Sequence, residues 1–174
     1  DLISTLKEHQ KKREIAVGEW ILGWGYDPDQ LEEQRHPNQQ ELSEAFPNNP
    51  VYLRHASFHM GVGNGLALEL AGIDDDTPDT PGGVIVRDEN GKATGLLQET
   101  AQGLITNLIP PVSFQQMVDM VYEGQEYYAS FGITTMQEGL ADSLAYQVFK
   151  EAAAMEILYL DLEVLGSFGH LDYY

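Results

Sequence analysis

Two histidines four residues apart, His55 and His59, are the strongest candidates for chemistry in this sequence. Residues 51–53 before them are apolar and β-prone, and a glycine-rich run over residues 61–65 follows. The pattern predicts a strand, a polar loop, and then a short apolar helix over residues 66–70. Because α/β proteins present functional groups at the carboxyl ends of strands, we expect this loop to supply a binding or catalytic group.

The spacing of the two histidines leaves several functions open. On a helix they would share a face and could bind zinc, but here they fall across a strand end and a loop. The glycines at 61, 63 and 65 suggest a phosphate loop, yet the lysine of a P-loop is missing. A metal site, a substrate contact from His59 and a structural hydrogen bond all remain open.

Acidic residues give two further candidates. Glu138 directly follows a predicted strand at 133–137, where barrel enzymes place working carboxylates, although capping of the next helix would also explain it. The aspartates of residues 74–83 suggest calcium, but their spacing does not match a calcium-binding loop, and Pro78 and Pro81 restrict the backbone.

Composition excludes several classes of function. The 174 residues carry 28 Asp and Glu against 9 Lys and Arg, a net charge of −19 that repels phosphate backbones and argues against nucleic-acid binding. The lack of cysteine excludes disulfides, thiol catalysis and thiolate metal sites. A hydrophobic share of 43% predicts a globular protein with one sizeable core.

The termini and apolar runs bear on location. No run approaches the roughly 18 apolar residues of a membrane span, and residues 1–13 read as a charged helix rather than a signal peptide. We therefore expect no membrane partner and a cytoplasmic location. Because the chain begins with Asp1 and not methionine, we also expect it to be a piece of a longer protein.

Periodicity and turn signals predict the remaining elements. A strand is expected over residues 19–27, and helix starts at Asp27-Pro28 and at Asn38 with Glu41. The later pattern predicts, in order, a β-hairpin at 84–97, helices at 98–109 and 114–131, a strand at 133–137, a helix at 141–155 and a strand at 156–165. The last four elements alternate as in a right-handed parallel β-α-β unit, and Ser113 with Gln116 forms a capping box at its first helix.

Several segments, taken in order, are together similar to the amidohydrolase family 3 type of metal-dependent hydrolase, the branch that includes N-substituted formamide deformylases. The similar segments are residues 20–27 (WILGWGYD), 50–54 (PVYLR) with His59, 64–68 (NGLAL), 81–88 (PGGVIVRD), 91–99 (GKATGLLQE) and 132–138 (GITTMQE). Their order spans nearly the whole chain.

The resemblance implies an α/β fold, part of a (β/α)₈ amidohydrolase barrel with an inserted α+β subdomain containing the β-hairpin. Residues 1–112 would be the insertion-type region with the His59 loop, and residues 113–174 a β-α-β portion of the barrel. The activity implied is hydrolysis of amide- or formamide-type C–N bonds of a small-molecule substrate, with a divalent metal, zinc being expected, that activates water.

The chain also departs from the family pattern. It lacks the His-x-His pair of such enzymes, reads Ser57-Phe58-His59 where Asp-Gly-His is usual, and has Asn64-Gly65 where Asn-Ser is usual. We therefore expect the metal centre in the remainder of the parent chain, and no metal or other cofactor bound by this chain alone.

The resemblance implies roles for three residues in the substrate pocket. His59 would contact the substrate or the transition state, Asn64 would order its loop, and Glu138 would face the site. The rivals are a non-catalytic binding or assembly module on the same scaffold, and a carbohydrate- or calcium-binding domain suggested by acidic loops and aromatics. Exposed strand edges of an incomplete barrel would favour a homo-oligomer.

Overall fold

The computed structural model describes residues 1–169, which fall into two units: unit 1 spans Asp1–Pro110, and unit 2 begins at Pro111. His170, for which the sequence indicates no function, lies outside the described residues. Within them, no helix is both long and apolar enough to span a bilayer.

Unit 1 contains five strands and four α-helices. Its α-helices are α1 (Leu2–Lys12), α2 (Gln39–Ala45), α3 (Gly65–Leu70) and α4 (Gly103–Thr106), with single 3₁₀ turns at Pro28–Gln30 and Thr100–Gln102. Its strands are β1 (Ile21–Tyr26), β2 (Val51–His55), β3 (Met60–Gly63), β4 (Gly83–Arg87) and β5 (Ala93–Glu99).

The five strands form one mixed sheet in the order β1-β2-β3-β5-β4. Strands β1 and β2 are parallel, and the β2/β3, β3/β5 and β5/β4 pairs are antiparallel. Leu53 packs with Leu6 and Leu42 on one face, whereas its neighbour Tyr52 packs with Ile105 on the other. Because both faces are covered, consecutive residues of β2 are buried, as in the central strands of α/β sheets.

The structure confirms the predicted hairpin and corrects the predicted boundaries of other elements. Strands β4 and β5 pair as expected, with the chain reversing between Asp88 and Lys92. The predicted helix at 98–109 was too long, because β5 extends to Glu99 to pair with Gly83 and the helical turns follow it. The glycine-rich run predicted as a loop is also corrected, since Gly61 and Gly63 belong to β3.

Local capping fixes the helix starts of unit 1. Asn38 accepts a hydrogen bond from Glu41 N–H while the Glu41 carboxylate accepts one from Asn38 N–H, so the predicted capping box is present. Asp27 caps the 3₁₀ turn at Pro28–Gln30, which is shorter than the expected helix. Both starts follow from short polar side chains that satisfy free amides of the first turn.

The aspartates of residues 74–83 bind protein groups. Asp75 Oδ1 accepts from Ala93 N–H at 2.9 Å, and Asp79 Oδ1 accepts from Ile85 N–H at 2.9 Å and lies 3.3 Å from an Arg87 guanidinium nitrogen. These bonds fasten the loop to the β4–β5 hairpin. The loop's acidic character therefore has a structural explanation.

We expect Asp79→Asn to make the free energy of unfolding depend less on pH in the acidic range. The hydrogen bond from Ile85 N–H, opposed by desolvation and assisted by Arg87, holds the pKa of Asp79 below its ordinary value. A carboxylate with a lowered pKa stabilises the fold above its unfolded pKa, and this contribution is lost as the pH falls through the folded pKa. Urea midpoints between about pH 2.5 and 6 measure the effect. Glu89→Gln at the hairpin tip removes an equal charge as the control, and equal profiles for both variants would contradict the prediction.

Unit 2 is a helix, strand, helix, strand sequence: α5 (Phe114–Ser130), β6 (Thr135–Ala141), α6 (Ser143–Ala154) and β7 (Asp161–Gly166). β6 and β7 pair in parallel, as predicted, and Ser113 with Gln116 forms the predicted capping box of α5. β7 begins five residues later than expected, because residues 156–160 form the connection in which Tyr159 and Leu160 N–H groups bind the buried Gln125 side chain.

Candidate functional site

One edge of the unit 1 sheet brings together chemically active side chains. Tyr26 ends β1, His55 ends β2, His59 precedes β3, and Glu99 ends β5. These positions share one edge because β1, β2 and β5 run in one direction and β3 runs against them. We call the edge defined by these four residues the carboxyl edge.

His59 and Glu99 form an exposed pair at the carboxyl edge. His59 Nδ1 lies 3.1 and 3.0 Å from the two Glu99 carboxylate oxygens, and Glu99 N–H donates to the His59 carbonyl at 2.8 Å. The side chains are 68% and 56% exposed. The pair is thus fixed by the backbone and yet open to a ligand.

Unusual backbone conformations occur within and next to this pair. Phe58 has a φ of +64° and Glu99 a φ of +50°, although neither is glycine. Gln102 helps to hold both, since its amide nitrogen donates to the carbonyls of Phe58 and Glu99 at 3.1 and 3.3 Å. Strained residues held by surrounding structure concentrate at functional sites, which makes this pair the leading candidate.

A second group at the carboxyl edge contains Tyr26, His36 and His55. Tyr26 Oη and His36 Nδ1 are 2.9 Å apart, and the His55 ring lies edge-on to Tyr26 with centroids 5.4 Å apart. Burial raises the pKa of Tyr26, and burial followed by the nearby His55 lowers the pKa of His36. Both effects favour the neutral forms of Tyr26 and His36, so these two side chains can share a hydrogen bond without carrying charge.

The tautomer of His55 follows from its neighbours. Ser57 N–H donates to His55 Nδ1 at 3.0 Å, so this nitrogen is an acceptor and the ring proton of the neutral form lies on Nε2. Nε2 faces Asp27 Oδ1 at 4.0 Å. His55 is therefore oriented from both sides, and the expected strand-end position is confirmed.

His36 is where sequence reasoning missed a contact. His36 lies in a polar segment of the sequence, yet it is half-buried against Tyr26 and His55. The sequence signal nearby is a tyrosine close to the end of the strand predicted over residues 19–27, and it does not identify a partner ten residues away.

Asn64 lies behind the carboxyl edge and is fully buried. Its side-chain oxygen accepts from Val51 N–H and Ala67 N–H, and its nitrogen donates to the carbonyls of Phe46 and Asn49. These bonds join the start of β2, the loop after α2 and the start of α3, whereas the expected role was to order the loop that carries His59. A direct substrate contact would require some of them to break.

Glu138 does not end its strand, contrary to the sequence prediction. β6 continues to Ala141 through a register shift, so Glu138 lies within the strand and pairs with Val164. It lines a cavity of about 360 Å³ with Met136, Leu162 and side chains of α5 and α6. Because strand side chains alternate, Gln137 and its partner Glu163 occupy the other, exposed face of the ribbon.

The described residues do not fit a metal centre of their own. Within residues 1–169, no group of three or more His, Cys, Asp or Glu side chains is arranged to hold a metal ion. His55 and His59 instead bind Ser57 and Glu99, respectively. We therefore assign no metal-dependent step to these residues.

The known proteins that this chain resembles in sequence include a deformylase and a putative amidohydrolase. The chain is 32% identical over 174 residues to the N-substituted formamide deformylase of Arthrobacter pascens, covering 98% of the chain and 32% of the relative. It is 41% identical over 110 residues to the putative amidohydrolase YtcJ of Bacillus subtilis (strain 168), covering 63% of the chain and 21% of the relative. The chain thus spans about a third or less of the length of these relatives.

Solved structures agree on the fold. Uncharacterized metal-dependent hydrolases from Pyrococcus furiosus and Pyrococcus horikoshii OT3 match with TM-scores of 0.51 and 0.52 at 21% and 22% identity. Each match covers 92% of this chain, and 32% and 31% of the respective structures. The mixed α/β fold of this chain is therefore similar to that of a portion of each of these structures. With residues 1–170 matching the amidohydrolase family as well, the chain belongs to that family.

Proposed function

We propose that this chain is part of a metal-dependent amidohydrolase that cleaves amide- or formamide-type C–N bonds of small molecules, and that the carboxyl edge lines its substrate pocket. The observation that carries the proposal is the exposed His59–Glu99 pair, in which Glu99 and the residue before His59 both have unusual backbone conformations. The relative named as a formamide deformylase supports the bond type. The metal, zinc by expectation, would be held by the remainder of the parent chain.

The geometry supports a role for His59 in hydrogen bonding and proton exchange with the substrate. A carboxylate at Nδ1 favours the tautomer with the proton on that nitrogen, which leaves Nε2 free for the substrate. Neutral Nε2 accepts a hydrogen bond from a substrate N–H, and the protonated ring donates one to a carbonyl oxygen or a departing amine. Glu99 positions the ring through this contact.

Replacing His59 by alanine in the full-length parent enzyme tests this function. We expect kcat/KM for N-formylbenzylamine to fall by about 100-fold, in the range found for positioned acid–base groups. Metal content and the melting temperature should be unchanged, because His59 is exposed and its backbone bonds do not depend on the ring. His9→Ala, on α1, is the matched control and should keep full activity.

Other outcomes are equally informative. An unchanged rate in His59→Ala would remove His59 from the pocket. Loss of metal together with activity would make His59 a metal ligand and overturn the division between this chain and the metal centre. A metal-loaded parent enzyme that cleaves neither N-formyl nor N-acyl amides would favour the non-catalytic module.

A further inference from the structure

We propose that Asn90 is a site of spontaneous deamidation, at which a cyclic imide formed with Gly91 opens to aspartate and isoaspartate. The inference is independent of the proposed function and concerns the tip of the β4–β5 hairpin. It follows from a comparison of two Asn-Gly dipeptides, Asn64-Gly65 and Asn90-Gly91. The sequence makes the two dipeptides equivalent, and the structure places them in opposite environments.

The reaction needs neither an enzyme nor an oxidant. The backbone nitrogen of Gly91 attacks the side-chain carbonyl carbon of Asn90, so that a new C–N bond forms and the bond to the amide nitrogen breaks. The amide nitrogen leaves as ammonia, and the proton lost from Gly91 balances it. Water then opens the five-membered imide at either of its two carbonyls. Glycine favours the ring closure because it has no Cβ to hinder the approach of its nitrogen.

The hairpin tip leaves the reacting groups of Asn90 and Gly91 in water. Both residues are exposed, and a Cβ at Gly91 would meet nothing within 4 Å. The Asn90 side chain is hydrogen-bonded to Asp88, which is also exposed. Gly91 N–H donates to the Asp88 carbonyl at 3.0 Å, and this turn bond must open before the attack. An exposed turn bond opens by local fraying, without unfolding of the sheet.

The composition of the tip indicates that it also faces solvent in the parent protein. Its residues are polar or charged, and all of them are exposed: Asp88, Glu89, Asn90, Gly91 and Lys92. Covering them with another part of the parent chain would require partners for three charges, which makes burial costly. We therefore expect the Asn90 amide to stay accessible in the full-length protein.

Asn64 has the same neighbour in sequence and the opposite environment. It is fully buried, and its side-chain amide binds backbone groups of three segments of unit 1. The group that would attack, Gly65 N–H, donates to Ser43 Oγ at 2.8 Å. Reaction at Asn64 therefore requires unfolding of this part of unit 1. The unfolded fraction of a stable protein is about 10⁻³ or less, which predicts strong protection.

Peptide mapping by mass spectrometry tests both sites in one molecule. The full-length parent protein is incubated at mildly alkaline pH, and amide loss is followed in the peptides that contain Asn64 and Asn90. We expect the rate at Asn90 to exceed the rate at Asn64 by at least about 100-fold. In denaturing urea the structural difference disappears, and the two rates should become similar. This unfolded reference removes the contribution of the dipeptide itself.

Asn90→Gln is the matched variant. It keeps an amide at the hairpin tip, but the imide would then have six members, so the fast reaction at this position should disappear. The melting temperature and the slow rate at Asn64 should both stay unchanged, because residue 90 is exposed. Fast amide loss that persists at residue 90 in this variant would contradict attack by Gly91.

Two further results would overturn the inference. Equal rates at Asn64 and Asn90 in the folded protein would mean that the fold does not distinguish the two dipeptides. Conversion of Asn90 in urea but not in the folded protein would mean that the turn or the rest of the parent chain protects it. The products test the route: isoaspartate beside aspartate supports the cyclic imide, whereas aspartate alone would indicate direct hydrolysis and contradict it.

Discussion

Replacing Asn64 by alanine should lower the free energy of unfolding by about 3 to 5 kcal/mol, since it removes a helix cap and leaves buried backbone groups without partners. Val51 N–H would lose its acceptor, and the carbonyls of Phe46 and Asn49 would lose a donor. These groups lie where the start of β2, the start of α3 and the loop after α2 meet. The single side chain therefore joins three segments of unit 1.

Urea unfolding followed by tryptophan fluorescence measures this loss. The chain has two tryptophans, Trp20 and Trp24, and both lie in unit 1, so the signal reports on the unit that contains Asn64. Asn38→Ala is the matched control. Asn38 caps α2 by the same kind of bond at a half-buried position, and its loss should cost only about 1 kcal/mol. Equal costs for the two variants would show that the buried bonds of Asn64 contribute little.

A methyl group at Gly95 should cost about 4 kcal/mol or more, through steric overlap added to backbone strain. Gly95 has a φ of +91°, and a Cβ there would lie 2.4 Å from the carbonyl oxygen of Gly63 and 2.9 Å from Gln39 Cβ. The first of these is backbone and cannot rotate away. Residues 94–96 form a bulge, because Ile85 and Arg87 of β4 pair with Leu97 and Ala93 of β5.

Comparison with Gly91→Ala separates the two costs at Gly95, the backbone strain and the steric overlap. Gly91 has a φ of +81° at the hairpin tip, and a Cβ there would meet nothing within 4 Å. Its replacement should cost about 1 to 2 kcal/mol, the strain of a left-handed conformation alone. A Gly95→Ala variant that unfolds at the same urea concentration as Gly91→Ala would mean that the sheet relaxes around the methyl group.

The features that sequence reasoning predicted are those with local causes. The capping boxes at Asn38 and Ser113 are found as expected, because a cap and its partner are three residues apart. The β4–β5 hairpin is likewise encoded by two short apolar runs, residues 84–86 and 96–97, on either side of a turn containing Gly91. Each of these is decided within a few residues.

The features that sequence reasoning predicted wrongly or missed depend on partners that are distant in the sequence. Gly61 looks like a loop residue, yet it lies in a strand because it pairs with Arg54 and Leu97. The position is glycine because a Cβ there would lie only 2.3 Å from Tyr52 Oη. Glu138 was placed at a strand end, but pairing with β7 extends β6 beyond it. The approach of His36 to Tyr26, and of Glu99 to His59, likewise depends on tertiary structure, so neither pair could be read from spacing.

The strand order β1-β2-β3-β5-β4 also has a consequence for synthesis of the chain. Strand β3 ends at Gly63, and its second partner β5 begins at Ala93, so the 29 residues 64–92 separate them. During translation, β3 leaves the ribosome with one side paired to β2 and the other without its neighbour until the hairpin emerges. Unpaired strand edges bind other extended chains. We expect the interval before β5 emerges to be the period in which unit 1 is most dependent on chaperones.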